Sequence, residues 1–200
     1  MDLTSRYATI DGCHDKLGNY DIPQEWWSRK FEYPWASQFV IPTDVVVDAA
    51  CGVTHFFKYW LADNCAQVTG IDMDPHLLEM RTHERLKLVV GDIAHMDIAD
   101  ASVDKLFCIS VFEHITDANK RQDILVEFAR VLRPDGLVLL TMDIPTISIE
   151  RFLLDIAASK ALKHAGEVQL ERPNNILTGG VPSSPLTRQL NVFCSVLRKR

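Results

Sequence analysis

Short runs of β-branched residues alternate with longer helical patterns from Asp44 onward, as is typical of a parallel sheet whose strands are connected by helices. The first run reads Val45, Val46, Val47 without polar alternation, which predicts a central strand covered by helices on both faces. The five strands predicted for the sheet are 45–50, 68–72, 86–92, 105–111 and 137–143. A last strand is predicted over 190–197.

Apolar residues recur at helical spacing between the fourth and fifth of these strands, and they predict an amphipathic helix over 118–132. A further helix is expected to begin at Pro75 with Asp74 as its cap, because proline is favoured in the first helical turn. Residues 147–163 also have a helical pattern. Residues 171–188 are rich in Pro, Gly, Ser and Asn, which predicts a loop.

The first 43 residues differ in composition from the rest of the chain, because they hold three of its four tryptophans, Trp26, Trp27 and Trp35. Pro23 and Pro34 are each expected to begin a helical turn. We therefore divide the chain into an aromatic-rich helical cap, 1–43, and a binding domain, 44–200. The aromatic cluster either packs a helix over the sheet or forms a lid over a binding pocket, and the sequence leaves both interpretations open.

Composition narrows the class of protein. The formal net charge of −6 and the absence of a long basic block are atypical of nucleic-acid binding, so we expect small or neutral partners and no nucleic acid. No apolar run approaches the roughly 20 residues that cross a bilayer. With no secretory signal visible, we expect a cytoplasmic protein without a membrane partner. The five cysteines form no C-x-x-C pair and predict small core residues, with no disulfide framework and no metal site.

The turn after the first predicted strand, residues 48–54, reads DAACGVT. Its small side chains allow a ligand to approach the backbone closely, and the following helix offers unpaired N–H groups. The turn is not the dinucleotide fingerprint, because Ala50 and Thr54 stand where glycines are expected. A nicotinamide-dependent oxidoreductase is therefore a weaker alternative.

Carboxylates end the second and third predicted strands. Asp72 lies 20 residues after Gly52, the spacing of a carboxylate that accepts hydrogen bonds from ribose hydroxyls. Asp92 is placed to accept a bond from an exocyclic adenine amine, and Met73 and Ile93 offer apolar surface to the ring. Either aspartate alone is more often a helix cap than a ligand. Together with the first turn they predict a nucleoside site.

Four sequence blocks, 48–54, 70–75, 91–115 and 130–141, resemble those of class I S-adenosylmethionine-dependent methyltransferases in order and spacing. The resemblance covers 44–143, about half of the chain. It implies an α/β three-layer sandwich with a mostly parallel sheet and a terminal antiparallel strand. The cofactor would be S-adenosyl-L-methionine and the product S-adenosyl-L-homocysteine. The implied cofactor contacts are Asp48, Ala50 and Gly52 at the methionine end, Asp72 at the ribose, Met73, Asp92 and Ile93 at adenine, and Ser110 beside the sulfonium.

The resemblance implies methyl transfer to an oxygen or nitrogen atom of a small-molecule acceptor, with a sugar or a secondary metabolite as the suggested class. Alignment and exclusion of water supply most of the rate, and a general base helps when the acceptor is a hydroxyl. His114 is the first candidate for that base, and His14 and His55 are weaker ones. A loop histidine is more often structural or exposed, and Glu113 is interpreted as an exposed or capping carboxylate. The alternative function is a catalytically silent binding or scaffold subunit.

Overall fold

One mixed sheet organises the computed structural model, which describes residues 1–179 and 189–200. The principal strand order is β1-β11-β8-β7-β4-β5-β6, with β9 and β10 also paired to β11. The strands are β1 Arg6–Tyr7, β2 Lys16–Leu17, β3 Tyr20–Asp21, β4 Val45–Ala49, β5 Gln67–Asp72, β6 Leu86–Val90, β7 Val103–Ile109, β8 Leu132–Ile144, β9 Leu162–His164, β10 Thr178–Gly179 and β11 Leu190–Lys199. The helices are α1 Arg29–Ser37, α2 Phe57–Asn64, α3 Ala118–Val131 and α4 Ile149–Ser159.

The predicted strands are all present. β4 is central, since it pairs in parallel with both β5 and β7. β6 and β8 extend the parallel sheet on either side. β11 then pairs antiparallel with β8, so the terminal antiparallel strand is confirmed.

Helices cover both faces of the sheet, which confirms the three-layer prediction. Val47 belongs to the apolar core shared with α3 and α4, whereas Val46 belongs to the core on the opposite face, shared with α1 and α2. Successive strand residues point to opposite faces, so an uninterrupted valine run supplies both cores. Four of the five cysteines are buried, as predicted, and Cys13 is half-buried.

The expectation that Pro34 begins a helical turn is wrong, because Pro34 lies inside α1. Proline has no N–H, so it leaves the carbonyl four residues earlier without its helical partner. In this chain that carbonyl belongs to Lys30, and it accepts a hydrogen bond from His14 N at 2.8 Å. The loop before the helix thus satisfies the bond that Pro34 removes.

Two predicted helices are shorter than expected or of another type. The helix expected at Pro75 is a 3₁₀ segment, Pro75–Glu79, capped as predicted by Asp74, whose Oδ1 accepts from His76 N at 3.0 Å. The helical pattern over 147–163 gives α4 followed by β9. The predicted loop at 171–188 contains β10, and its part from 180 to 188 lies outside the described residues.

The N-terminal segment takes part in the sheet through β1, which pairs antiparallel with β11. Its helix α1 packs on the same face as α2. The boundary at residue 43 between a cap and a binding domain stays a prediction. Among the described residues, no helix combines the length and the apolar character needed to cross a membrane.

Candidate active site

The turn after β4 uses left-handed backbone at two positions. Gly52 has φ +63°, and a Cβ there would lie 2.6 Å from His55 Nδ1, so only glycine fits. Ala50 also has a positive φ, +56°, although its side chain disfavours that conformation. Residues held in such backbone cluster at functional sites. The alanine therefore adopts the conformation for which a glycine is expected.

Asp72 joins the first turn to the tips of two strands. Its Oδ2 accepts from Gly52 N at 2.8 Å, its Oδ1 accepts from Asp74 N at 3.0 Å, and its carbonyl accepts from Gly91 N at 2.9 Å. Each carboxylate oxygen has a second lone pair, so Asp72 retains capacity for a ligand hydroxyl. These bonds bring the ends of β4, β5 and β6 together at one edge of the sheet.

Lys58 holds the same turn through its side chain, although the sequence did not predict it as a site residue. The side chain is fully buried, and Nζ donates to the carbonyls of Gly52 at 2.7 Å, Val53 at 3.1 Å and His55. Burial lowers the pKa of Lys58. The only sequence signal is a lysine at an apolar position of α2.

Asp48 is the last residue but one of β4, lies beside this turn and is almost fully buried. Burial raises its pKa to about 7, although the positive charges of Lys58 and Arg29 act in the opposite direction. A buried carboxylate without a close ion-pair partner is costly in the charged form. Asp48 is therefore suited to pair with a cationic group of a ligand.

Around the predicted adenine site, Asp92 is engaged by groups of the chain itself. Its Oδ1 accepts from Ala94 N at 2.9 Å, and Oδ2 forms an ion pair with Lys120 that the sequence did not predict. Burial opposes ionisation, but the hydrogen bonds from Lys120 and Ala94 together with the charge of Lys120 outweigh it and lower the pKa of Asp92. Ile93 is buried next to it, whereas Met73 is 73% exposed and offers open apolar surface.

Ser110 follows β7 with φ +50°, a strained conformation for serine. Its N–H donates to Thr141 Oγ1 at 3.0 Å. The hydroxyl donates to Glu32 Oε1 at 2.6 Å and accepts from Arg29 Nη1 at 2.7 Å. These bonds tie the end of β7 to helix α1.

Glu32 is the centre of this network and is fully buried in α1. It forms an ion pair with Arg29, and its Oε1 also accepts from Thr141 Oγ1 at 2.6 Å. Burial opposes its ionisation, but Arg29 and the hydroxyl donors outweigh burial and lower the pKa of Glu32. Neither Arg29 nor Glu32 is predicted as a site residue from the sequence, because no local motif marks them.

Two adjoining cavities meet at Ser110. The inner cavity, about 120 Å³, lies against the first turn and is lined by residues that include Arg29, Tyr33, Asp48, Ala50, Gly52 and Ser110. The outer cavity, about 190 Å³, is lined by residues that include Trp26, Trp27, Arg29, Ser110, His114 and Asp143. Arg29, His55 and Ser110 border both.

Two carboxylates stand at the outer cavity or directly behind it. Asp143 lines the cavity, and its N–H donates to Glu113 Oε1 at 3.0 Å. Burial raises the pKa of Asp143 to about 7 and that of Glu113 to about 8. Within residues 1–179 and 189–200, the buried Glu113 Oε2 and Asp143 Oδ1 have no hydrogen-bond partner. The interpretation of Glu113 as an exposed carboxylate is wrong, since it is 5% exposed.

The three candidate histidines lie in different surroundings. His114 ends a 3₁₀ turn after β7, lines the outer cavity and has a side chain 64% exposed. His55 stacks on Trp26 with ring centroids 4.5 Å apart, and burial with nearby Arg29 and Lys58 lowers its pKa to about 4. His14 lines a separate cavity near Trp35. Only His114 and His55 border the outer cavity.

The tryptophans of the aromatic cluster also lie in different surroundings. Trp26 and Trp27 are half-buried and line the outer cavity. Trp35 is 6% exposed and packs edge-on against Phe39, with ring centroids 5.2 Å apart. The cluster thus contributes both to packing and to a cavity wall.

The chain is similar to known methyltransferases over its central half. The sequence model of the family described as "Methyltransferase domain" matches residues 47–140. Residues 47–140, just under half of the chain, are therefore similar to a methyltransferase domain, and the fold is the α/β fold of S-adenosylmethionine-dependent methyltransferases. The family implies S-adenosylmethionine as cofactor and S-adenosylhomocysteine as product.

Relatives agree on this class and differ in their acceptors. A malonyl-[acyl-carrier protein] O-methyltransferase of Yersinia pestis is 32% identical over 97 residues, which cover 48% of this chain and 35% of that protein. A tRNA (carboxymethyluridine(34)-5-O)-methyltransferase of Arabidopsis thaliana is 26% identical over 118 residues, 58% of this chain and 28% of that protein. The chain thus spans about a third of the length of these relatives.

Among solved structures, a TehB-like S-adenosylmethionine-dependent methyltransferase of Corynebacterium glutamicum has the same fold, with a TM-score of 0.60 and 17% identity. The similarity covers 84% of this chain and 87% of that structure. At this identity the similarity concerns the fold.

The residues of the inner cavity fit the cofactor that the family implies. Gly52 leaves room where a Cβ would collide with His55, and buried Asp48 forms no salt bridge with any residue that the structure describes. Asp72 retains acceptor capacity at the next strand tip, and Met73 offers exposed apolar surface. These are the groups that an adenosyl compound with an amino-acid tail requires.

Proposed function

We propose that this protein transfers the methyl group of S-adenosylmethionine to an oxygen or nitrogen atom of a small molecule. The observation that carries the proposal is the pair of cavities that meet at Ser110. A donor in the inner cavity would present its reacting end to an acceptor in the outer cavity. Residues of one strand end would thus border both reactants.

On this proposal the donor lies along the strand tips. Asp72 accepts bonds from the ribose hydroxyls, while Asp92, Ile93 and Met73 surround the adenine. Asp48, Ala50 and Gly52 surround the methionine end, and Ser110 lies beside the sulfur. Support comes from the hydrogen bonds that join Gly52, Asp72 and Gly91 into one edge.

When bound, the cofactor supplies a methyl group that a positively charged sulfur already activates. The chain then has to hold the acceptor in line with the bond that breaks and keep water away. Half-buried Trp26 and Trp27 form an apolar wall of the outer cavity that suits this task.

The outer cavity favours a small hydroxylated acceptor such as a sugar. Tryptophan faces pack on the apolar faces of a sugar ring, and the carboxylates of Glu25 and Asp143 accept bonds from its hydroxyls. The net charge of −6 disfavours an extended phosphate backbone. Several relatives are named as tRNA methyltransferases, so the experiment below also tests tRNA as the acceptor.

His114 is the proposed general base, since it borders the outer cavity beyond β7. As the acceptor oxygen forms its bond to the methyl carbon, the hydroxyl proton moves to the imidazole and the electrons of the broken S–C bond stay on sulfur. His114→Ala should then lower turnover by about 10²-fold or more with unchanged donor affinity. His14→Ala is the matched control because His14 lies at a separate cavity. Equal turnover in both variants would remove His114 from the mechanism.

The deciding experiment is incubation with S-adenosylmethionine labelled in its methyl group and a fractionated metabolite extract, with a tRNA fraction in parallel. We expect label in a small hydroxylated compound. Label in tRNA alone would refute the small-molecule acceptor.

The second candidate function is a catalytically silent binding subunit. The observation in its favour is the strained left-handed backbone of Ala50, at a position where a glycine is expected. Calorimetric titration with S-adenosylmethionine and S-adenosylhomocysteine separates the candidates. Absence of binding at millimolar ligand would end the enzyme proposal. Binding without transfer to any extract component would support the silent subunit.

A further inference from the structure

Two neighbouring carboxyl groups meet at the wall of the outer cavity. Asp143 lines the cavity, and within residues 1–179 and 189–200 it forms no salt bridge and its buried Oδ1 accepts no hydrogen bond. Glu113, which is 5% exposed, lies directly behind it, because Glu113 Oε1 accepts from Asp143 N at 3.0 Å. Glu113 Oε2 is likewise without a hydrogen-bond partner among the described residues. The pair therefore has acceptor capacity that this part of the chain does not use.

The basic groups that line the outer cavity do not balance the charge of Asp143. Arg29 is paired with buried Glu32, whose negative charge acts on Asp143 more strongly than the positive charge of Arg29. His55 is uncharged near neutral pH, because burial lowers its pKa to about 4. His114, the proposed base, acts in its uncharged form. Burial and the charge of Glu32 raise the pKa of Asp143 to about 7, and a bound cation would favour its charged form.

Two tryptophans provide the second element of a cation site. Trp26 and Trp27 are half-buried and line the same cavity as Asp143. Trp26 packs on His55 with ring centroids 4.5 Å apart, and Gly179 lies against Trp27, since a Cβ on this glycine would be 2.1 Å from the indole Cδ2. Both rings are thus held in place. Indole faces attract ammonium groups within about 6 Å, and in the described part of the chain no lysine or arginine stacks on either ring.

Resting on the proposed function, we propose that the small hydroxylated acceptor also carries a protonated amino group and that Asp143 binds this group. The ammonium donates to the Asp143 carboxylate beside Trp26 and Trp27, while the hydroxyl that is methylated faces His114. Amino alcohols and amino sugars are compounds of this class. Asp143 is then a specificity-determining residue, which favours these compounds over uncharged ones of the same size.

The first test measures the charge of the compound that the protein labels. Wild-type protein is incubated with methyl-labelled S-adenosylmethionine and a fractionated metabolite extract, and the labelled small molecule is applied to a cation exchanger. We expect retention near pH 7 that is lost near pH 12, where an ammonium group is deprotonated. Absence of retention near pH 7 would overturn the proposal. Retention at both pH values, which a permanent cation would give, would also overturn it.

The second test asks whether Asp143 makes the contact. Asp143→Asn keeps the shape of the side chain and removes its charge, so KM for the purified acceptor should rise about 10- to 100-fold, the range for hydrogen bonds to charged groups. The effect should fall on KM, and the affinity for S-adenosylhomocysteine should change less than about twofold. A merely structural role of Asp143 would lower kcat and donor affinity as well. That result, or an unchanged KM, would overturn the proposal.

Asp135→Asn is the matched control, because Asp135 lies on the same strand, β8, at an exposed position that does not line the outer cavity. It should leave KM, kcat and donor affinity unchanged. Thermal unfolding shows whether each variant is folded. An equal rise of KM in both variants would refute a specific role of Asp143.

The labelling experiment separates failure of the inference from failure of the proposed function. If no small molecule is labelled, the proposed function falls and the inference falls with it. If a small molecule is labelled but carries no positive charge near pH 7, methyl transfer to a small molecule stands and the role of Asp143 is refuted.

Discussion

Two halves of the inner cavity are built in contrasting ways. The half at the strand tips is assembled within a short stretch of chain, where Gly52 and Asp72 meet 20 residues apart. The opposite half comes from α1, whose Glu32 bonds to residues 78 and 109 positions away. The first half is encoded by local motifs, and the second exists only once the sheet has formed.

The largest effect, a loss of stability, is expected when the hydrogen-bond network of the half built by α1 is disrupted. Glu32→Ala leaves the guanidinium of Arg29 buried without its partner, so the free energy of unfolding should fall by about 3–5 kcal/mol. Urea denaturation measures this value. Glu84→Ala, at an exposed position, should change stability by less than about 0.5 kcal/mol. A loss below about 1 kcal/mol for Glu32→Ala would mean that α1 does not depend on the network.

The second largest effect is expected when the half of the cavity at the strand tips is disrupted. Asp72→Ala removes the acceptor for Gly52 N and for the ribose hydroxyls, so donor affinity should fall 10- to 100-fold, about 1.5–3 kcal/mol. Titration calorimetry with S-adenosylmethionine measures it. Asp74→Ala, which removes only the cap of the 3₁₀ segment, should weaken binding far less. An unchanged dissociation constant for Asp72→Ala would contradict the ribose assignment.

A third, smaller effect concerns Glu113, the buried carboxylate that accepts a hydrogen bond from Asp143 N. Glu113 has a folded-state pKa of about 8, above its ordinary 4.5, so the folded state binds the proton more tightly. Wild-type stability contributed by this group is therefore lost as pH rises from about 4.5 to about 8. Glu113→Gln keeps the acceptor for Asp143 N and removes the charge.

The advantage of Glu113→Gln over wild type should be small at pH 5 and grow as pH rises towards 9, measured by thermal unfolding. An exposed control such as Glu84→Gln should show no such trend. A constant difference across this pH range would show that Glu113 is not held in its protonated form.

The smallest effect concerns the strained turn. Ala50→Gly relieves left-handed backbone and should raise the free energy of unfolding by about 0.5–1 kcal/mol. The neighbour Ala49 lies in β4 without a positive φ, so Ala49→Gly should destabilise the protein instead. A destabilising Ala50→Gly would show that the methyl group of Ala50 packs productively.

The contrast between the halves also explains what the sequence could predict. The strands of the sheet, the central position of β4 and the edge formed by Gly52 and Asp72 follow from hydrophobic runs and fixed spacing. Arg29 and Glu32 lie in a helix whose pattern resembles ordinary packing, and their partner Ser110 is distant in sequence. Lys58 and Lys120 were missed for the same reason, because their partners are set by tertiary contact.

Lys58 has a consequence for the direction of the peptide groups in the first turn. An ammonium has three N–H bonds, and three carbonyls of the turn receive them. Since C=O and N–H of one trans peptide point in opposite directions, the N–H groups that follow Gly52 and Val53 point away from the lysine. Rotation of either peptide plane would remove a carbonyl that accepts a hydrogen bond from the buried ammonium. The peptide groups of the turn therefore keep the same orientation whether or not a ligand is present.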